Sequence, residues 1–82
     1  MDKPTKEEVL ATFSNNMKYI RAKKGITQEA FAYRLGISLQ SLGSYEEARA
    51  TPCLPVLIQI SNLLDYGIDC LLTIDIKTLE EA

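Results

Sequence analysis

Apolar residues recur at helical spacing in the first part of the chain. The intervals are three and four residues, which places one set of side chains on the same face of a helix: Leu10, Phe13, Met17 and Ile20. Thr5 is suited to cap this helix, and Glu8, three residues later, completes a capping box. We expect the helix to run to about Lys24, where Gly25 follows.

The next segment predicts two short helices joined by a tight turn. Thr27 can cap a helix over residues 28–35. Gly36 is placed to end it, because glycine enters the left-handed conformation without steric cost. Ser38 is placed to cap a second helix over residues 39–46. We therefore expect a rigid pair of helices here.

The second helix of this pair has a short apolar face and a polar one. Leu42 and Tyr45, three residues apart, are predicted to be buried. The opposite side, which is expected to be exposed and mainly polar, carries Leu39, Gln40, Gly43 and Ser44.

A polar connection leads to a third apolar region. Pro52 fits the start of a helix, and Pro55 is tolerable in its first turn, because the N–H it lacks would be unpaired there anyway. The apolar positions of this helix are Leu54, Leu57, Ile58, Ile60, Leu63 and Leu64. A last short helix is expected over about residues 69–72.

The tail changes from helical spacing to a two-residue alternation. Leu72, Ile74 and Ile76 alternate with polar residues, which is typical of a strand with one apolar face. A lone strand leaves its backbone groups unpaired, so we expect residues 72–78 to pair with the same strand of a second subunit. The alternative is that the segment continues the last helix or frays.

Two helices joined by a glycine turn form the helix-turn-helix plan, whose second helix enters the DNA major groove. The chain also resembles the phage repressor and Cro-type proteins of the XRE family. The resemblance lies in KKGITQEAFAYRLGISLQSLGSYE, then Pro52 and LIQISNLLDYGIDCLL, and covers roughly residues 13–72. It implies an all-α, five-helix, lambda-repressor-like domain. Residues 1–12 are then an N-terminal extension of the first helix, and residues 73–82 a tail with the dimerisation strand.

The same resemblance assigns DNA contacts residue by residue. Gln28 matches a glutamine that contacts a phosphate, while Leu39, Gln40 and Ser44 match positions that touch base edges. An amide such as that of Gln40 can form a bidentate pair with adenine, and Leu39 can contact a thymine methyl group. The further candidates for phosphate contacts are Lys18, Lys23, Arg34, Ser41 and Arg49. On an ordinary helical hairpin, Gln40 and Ser44 would instead be solvated surface residues.

Two more positions matter within the resembled motif. Arg21 and Glu46 match a pair that forms an internal salt bridge, which would fix the angle of the second helix. Ala48 stands where the family usually has glycine, so we expect the chain to leave the helix by a different conformation. No residue of the second helix is cationic, and specificity should therefore lean toward A·T pairs and DNA shape.

Charge is distributed unevenly along the 82 residues. The net charge is −2 and the pI about 5.0, which does not by itself favour a nucleic-acid partner. Residues 15–34 are nevertheless basic, and residues 65–82 are acidic. A basic patch can serve the phosphate backbone while the acidic end faces solvent or a partner. The alternative is an ordinary surface of mixed charge.

Histidine is absent, and Cys53 and Cys70 are the only cysteines. Two thiols are too few for a zinc site, so we expect no metal, no cofactor and two free thiols. A redox-sensing pair is the alternative. Without histidine or a nucleophile with its base, we expect no enzyme. No apolar run approaches the roughly 18 residues of a membrane span, and we expect a cytoplasmic protein.

These features together predict a homodimeric, sequence-specific DNA-binding regulator of transcription, with a repressor as the expected type. The alternative is a protein-interaction module, such as an antitoxin that neutralises a partner protein. The acidic balance, the lack of cations in the second helix and the strand-like tail, which could add to another protein's sheet, favour that alternative.

Overall fold

A computed structural model describes residues 3–81, which form six helices and no strand. The outermost residues of the predicted extension (1–12) and tail (73–82) lie outside this range. The helices are α1 (Lys6–Lys23), α2 (Gln28–Leu35), α3 (Leu39–Glu46), α4 (Leu54–Leu64), α5 (Ile68–Thr73) and α6 (Ile76–Glu81). The all-α prediction is confirmed, with one helix more than the five expected.

The start of α1 forms the predicted capping box. The Thr5 hydroxyl accepts a hydrogen bond from the Glu8 N–H at 3.1 Å, and the Glu8 carboxylate accepts one from the Thr5 N–H at 3.0 Å. Two backbone groups that the helix leaves unpaired are thereby satisfied. The helix ends before Gly25, which has a φ of 70°.

Helix α1 lies at the centre of the fold and packs against α3, α4, α5 and α6, while α2 packs against α3 and α4. The buried apolar side chains form one core: Phe13, Met17, Ile20, Phe31, Ala32, Leu35, Leu42, Leu57, Ile60, Leu64, Leu71 and Ile76. Helix α4 starts at Leu54 rather than at Pro52, and Leu54 and Ile58 are exposed. The apolar face predicted for α4 is therefore only partly used by the core.

The predicted strand over residues 72–78 is wrong. The side chain of Asn16, buried in α1, organises this segment instead. Its Nδ2 donates to the carbonyl oxygens of Leu71, at 2.9 Å, and Ile74, at 2.6 Å, and its Oδ1 accepts from the Ile76 N–H at 3.0 Å. The backbone groups that a strand would have offered to a second subunit are thus satisfied within the chain.

The last helix follows directly from this arrangement. Asp75 caps α6, since its carboxylate accepts from the Thr78 N–H at 3.2 Å, and Ile76 enters the core. The apolar alternation that suggested a strand therefore reflects one buried residue, Ile76, and one exposed residue, Ile74. Among residues 3–81, no helix is both long and apolar enough to cross a membrane.

Candidate nucleic-acid interface

Helices α2 and α3 form a capped pair joined by a short turn. The hydroxyl of Thr27 accepts from the Ala30 N–H at 3.1 Å, and that of Ser38 accepts from the Ser41 N–H at 3.0 Å. Gly36 has the left-handed conformation, with φ 69° and ψ 31°. The Ile37 N–H bonds to the Ala32 carbonyl at 3.1 Å, which closes α2 in a Schellman motif. Each boundary predicted for α2 and α3 is confirmed.

One face of α3 is buried and the other is open to solvent. Leu42 is fully buried, as predicted, but the second buried residue is Glu46, at 2% exposure, while Tyr45 is only half-buried. Leu39 and Gln40 are exposed, and Ser41, Gly43 and Ser44 are half-buried. The three predicted base-contact residues therefore all retain exposed surface.

The buried carboxylate of Glu46 joins three helices. Its Oε2 lies 2.6 Å from Arg21 Nε, and its Oε1 lies 3.0 Å from Arg21 Nη2 and 2.8 Å from Gln28 Nε2. Arg21 also donates through Nη1 to the carbonyl of Ile26 at 2.7 Å. The ion pair that the resemblance implied is present, and this network ties α3 to both α1 and α2.

Gln28 takes part in this network, which sequence reasoning did not anticipate. A side-chain amide carries two N–H donors, and the structure uses one of them for Glu46. The amide is therefore held in a fixed direction at the first turn of α2. Backbone N–H groups at the same helix N-terminus favour an anion as well.

The chain leaves α3 through a left-handed residue. Ala48 has a φ of 60°, and the Arg49 N–H bonds to the Ser44 carbonyl at 2.9 Å while the Ala48 N–H bonds to the Tyr45 carbonyl at 3.3 Å. These bonds form another Schellman motif. The expectation of a different conformation at Ala48 is therefore wrong: alanine adopts the geometry that glycine adopts more easily, because two hydrogen bonds hold it there.

The basic side chains do not all lie on one surface. Lys23 turns toward α6, where its Nζ lies 2.5 Å from Glu80 Oε1, and Lys18 lines an open cleft with Asp75, Lys77 and Thr78. Both lie along the side of α1 that faces α6. Of the four predicted basic contacts, only two belong to the helix-turn-helix segment. Arg34 is exposed on α2, and Arg49 is exposed directly after α3. The basic segment of the sequence is thus divided by the fold.

The carboxylate of Glu80 accepts hydrogen bonds from three side chains, one of which is Lys23. Besides Lys23, the hydroxyls of Tyr66 and Tyr19 donate to its carboxylate, Tyr19 at 3.1 Å. The hydrogen bonds from Lys23 and Tyr66 lower the pKa of Glu80 to about 2. The charge of Lys23 is thus matched within the chain, while its side chain stays 52% exposed. Its contact with a DNA phosphate stays a prediction.

The described residues offer little to a metal ion. Within residues 3–81, no group of three or more histidine, cysteine, aspartate or glutamate side chains is arranged to hold one. Cys53 is exposed and Cys70 half-buried, and both are free thiols. The surface of α3 and its C-terminal turn presents the amide of Gln40, hydroxyl groups, the apolar Leu39 and the charged side chains of Glu47 and Arg49.

Comparison with known proteins agrees with this architecture. The family model described as helix-turn-helix (HTH_3) matches residues 17–69. The chain belongs to this helix-turn-helix family. A relative in Bacillus subtilis, the uncharacterized HTH-type transcriptional regulator YqaE, is 42% identical over 60 residues, which is 73% of this chain. The chain spans about half the length of that relative, at 52%.

Two solved structures share the helix-turn-helix fold. A hypothetical transcription factor from Neisseria, NHTF, has a TM-score of 0.76 at 22% identity, and the match covers 100% of this chain and 95% of that one. The restriction-modification controller protein C.AhdI from Aeromonas hydrophila has a TM-score of 0.68 at 24% identity, with 76% and 94% covered. At these identities the likeness is one of fold.

In this helix-turn-helix domain, α3 is the second helix of the motif, the position from which a recognition helix enters the major groove. The fold brings Leu39, Gln40 and Ser44 together along α3, with Ser41 beside them and Arg49 just beyond its end. Lys18 and Lys23 are not brought together with them. Sequence reasoning missed Glu47, an exposed acid that also follows α3. Glu47 follows Gln40 by seven residues, or about two helical turns, which indicates the same side of the helix. This spacing is the signal by which the sequence could have pointed to Glu47.

Proposed function

We propose that this chain is a sequence-specific DNA-binding regulator of transcription, with α3 placed in the major groove. The observation that supports the proposal best is the Arg21–Glu46–Gln28 network, because it fixes the buried face of α3 and so orients the exposed face. A recognition helix must be held rigidly if its side chains are to distinguish base edges.

Base recognition is assigned to the exposed face of α3. Gln40 offers one acceptor and two donors, which suit the N6 and N7 positions of adenine in a bidentate pair. Leu39, at 46% exposure, supplies an apolar surface for a thymine methyl group. Ser44 can donate to or accept from several bases and adds little discrimination alone. We therefore propose a preference for an A·T pair opposite Gln40.

Phosphate contacts are assigned to residues near the ends of α2 and α3. Gln28 and the N-terminus of α2 form one such position, and Ser41, Arg34 and Arg49 supply others. Contacts of this kind fix the register on DNA without reading sequence. Because few exposed cations surround α3, we expect affinity to depend on a small number of phosphate contacts.

We also propose that the protein acts as a homodimer on two half-sites about 34 Å apart. The predicted strand cannot form the interface, because it is absent. Exposed apolar side chains in the C-terminal half support a contact between helices instead, among them Leu54, Ile58 and Leu79. An operator with two-fold symmetry would agree with this arrangement, whereas a single asymmetric site bound by one chain would contradict it.

The proposed activity requires access to DNA, so we place the protein in the cytoplasm and assign it no catalytic role. We expect repression, since a compact domain on DNA can block access to a promoter.

The antitoxin alternative is compatible with DNA binding. An open apolar groove of about 300 Å³, lined in part by Val9, Leu10, Phe13 and Leu72, supports it. A second small protein that co-purifies in fixed ratio would favour this alternative.

The proposed function can be tested by selecting bound duplexes from a random pool at a defined salt concentration. An enriched motif with two half-sites is the expected result. A salt titration on the selected duplex should then show log affinity falling linearly with log salt, at a slope of about −0.9 for each phosphate contact. The absence of an enriched motif together with a flat salt response would contradict the proposal.

A further inference from the structure

An exposed ion pair lies directly beyond the recognition helix. Arg49 Nη2 and Nε lie 2.6 Å and 2.8 Å from the same oxygen of Glu47, Oε1. The side chains are 62% and 61% exposed. The pair is therefore reachable by solvent and by any molecule that approaches the end of α3.

The geometry of the helix terminus brings the two side chains together. Residues two apart on a regular helix point in different directions, so Glu47 and Arg49 would diverge if α3 continued. Ala48, with its φ of 60°, reverses the chain between them. The hydrogen bond from the Arg49 N–H to the Ser44 carbonyl then anchors Arg49 to α3. The position of the guanidinium is thus a consequence of how α3 ends.

Glu47 lies on the outward side of α3. It follows Gln40 by seven residues and Ser44 by three, which places all three on one stripe of the helix. When the N-terminal residues of a recognition helix contact base edges, its C-terminal end lies toward the phosphate backbone. Arg49 is suited to bind a phosphate there, whereas the Glu47 carboxylate is repelled by one.

We propose that Glu47 holds Arg49 in an ion pair that competes with a DNA phosphate for the guanidinium group. The inference rests on the proposed function. When the pair opens, Arg49 exchanges the Glu47 carboxylate for a DNA phosphate, and the charge of Glu47 is left without a partner. Glu47 then takes up a cation from solution, while the DNA releases one of its counterions. Glu47 therefore lowers affinity for DNA of every sequence and makes binding less sensitive to salt.

The expected magnitude is small, because exposed ion pairs contribute little in water. Replacing Glu47 by glutamine keeps the shape of the side chain and removes its charge. We expect E47Q to tighten binding to a random-sequence duplex by about two- to fivefold. The slope of log affinity against log salt should become steeper by about one, since no cation is then taken up.

The test compares the wild-type chain with E47Q, R49A, the double variant E47Q/R49A and the control E7Q. Glu7 is exposed in the first turn of α1, so E7Q makes the same change in net charge outside α3 and its C-terminal turn. Fluorescence anisotropy of a labelled duplex over a range of salt concentrations gives both the affinity and the slope. Circular dichroism and urea unfolding show whether each variant is folded.

We expect a gain for E47Q, no change for E7Q, and a smaller gain from E47Q when Arg49 is absent, because only the repulsion between Glu47 and phosphate is then removed. Equal affinities and slopes for E47Q and E7Q would overturn the inference. An equally large gain from E47Q in the R49A background would also overturn it, because Glu47 would then act by direct repulsion alone. So would a change of preference at a single base pair. If neither the wild type nor E47Q shows salt-dependent binding, the proposed function fails and the inference with it.

Discussion

Gln28 and Glu46 are joined by a hydrogen bond of 2.8 Å between Nε2 and Oε1, so that the first residue of α2 is fixed by the last residue of α3. The same carboxylate forms the ion pair with Arg21 in α1. One buried side chain thus sets the mutual positions of three helices. It also directs an amide that is proposed to contact DNA, which links the stability of the fold to its recognition surface.

Replacing Glu46 by alanine should be strongly destabilising. Glu46 is 2% exposed and Arg21 is 16% exposed, so the substitution leaves a guanidinium largely buried without its partner. We expect the free energy of unfolding to fall by about 3–5 kcal/mol, as measured by urea unfolding. Glu47 provides a matched control, because E47A removes the same side chain from an exposed position and should change stability by less than about 0.5 kcal/mol. Similar losses for the two variants would show that the network is not what holds α3.

Gln40 and Arg34 are expected to affect DNA binding in different ways. Gln40→Ala removes a contact to a base edge and should relax the preference at one base pair, by about 1–3 kcal/mol of discrimination. Arg34→Ala removes a contact to phosphate and should weaken binding to all sequences alike, with a salt slope smaller by about one. Competition binding against single-base variants of the selected duplex separates these effects. A uniform loss for Gln40→Ala would place the residue outside the groove.

Ala48→Gly should stabilise the protein. An L-residue in the left-handed conformation costs about 1–2 kcal/mol, and glycine avoids most of that cost while adding some chain entropy to the unfolded state. We expect a net gain of about 0.5–1 kcal/mol in the free energy of unfolding. Ala11→Gly, an exposed position within α1, should lose a similar amount instead. Destabilisation by both substitutions would mean that Ala48 is not strained.

Asn16→Ala should release the C-terminal segment. The amide of Asn16 makes three hydrogen bonds to backbone groups of residues 71–76, and its loss leaves buried carbonyl groups without partners, each at a cost of about 1–3 kcal/mol. Hydrogen exchange should become faster at the amides of α6 before those of α1. The neighbouring Asn15 is exposed, so Asn15→Ala should leave both exchange and stability nearly unchanged. Unaltered protection of α6 in the Asn16 variant would contradict this role.

Acid should weaken the contact that Glu80 makes with α1. The pKa of Glu80 is lowered from 4.5 to about 2, first of all by its hydrogen bond from Lys23. A carboxyl group whose pKa is lower in the folded state contributes stability that is complete above about pH 4.5 and lost as the pH falls toward 2. The same hydrogen bond raises the pKa of Lys23. The stability that protonated Lys23 contributes is therefore complete below about pH 10.5 and is lost as the pH rises further. Urea unfolding from pH 7 to pH 2.5 should show a steeper loss for the wild type than for Glu80→Gln, and equal slopes would show that the contact adds no stability.

Local chemistry explains how much of the helix-turn-helix could be predicted. The ends of α2 and α3 depend on Thr27, Gly36 and Ser38, each of which acts on backbone groups within about four residues. Because such effects depend only on neighbouring residues, the sequence predicts them, and the predicted boundaries of α2 and α3 agree with the structure. The ion pair between Arg21 and Glu46 could not be predicted from local patterns, because its partners are 25 residues apart in the sequence. It was implied only by the family resemblance.

Longer-range packing decided the rest. Alternating apolar residues in the tail predicted a strand, but Asn16, about 60 residues away, binds the backbone there and leaves α6 as the stable form. The sequence placed Lys23 in a basic segment, yet the fold turns it to Glu80 and away from the recognition helix. Only the fold showed that Ala48 takes the left-handed conformation and so brings Arg49 to Glu47. The sequence by itself determined α1, α2 and α3 and their caps, because these depend on close neighbours. The tertiary structure decided which charges and backbone groups meet, because those depend on residues that are distant along the chain.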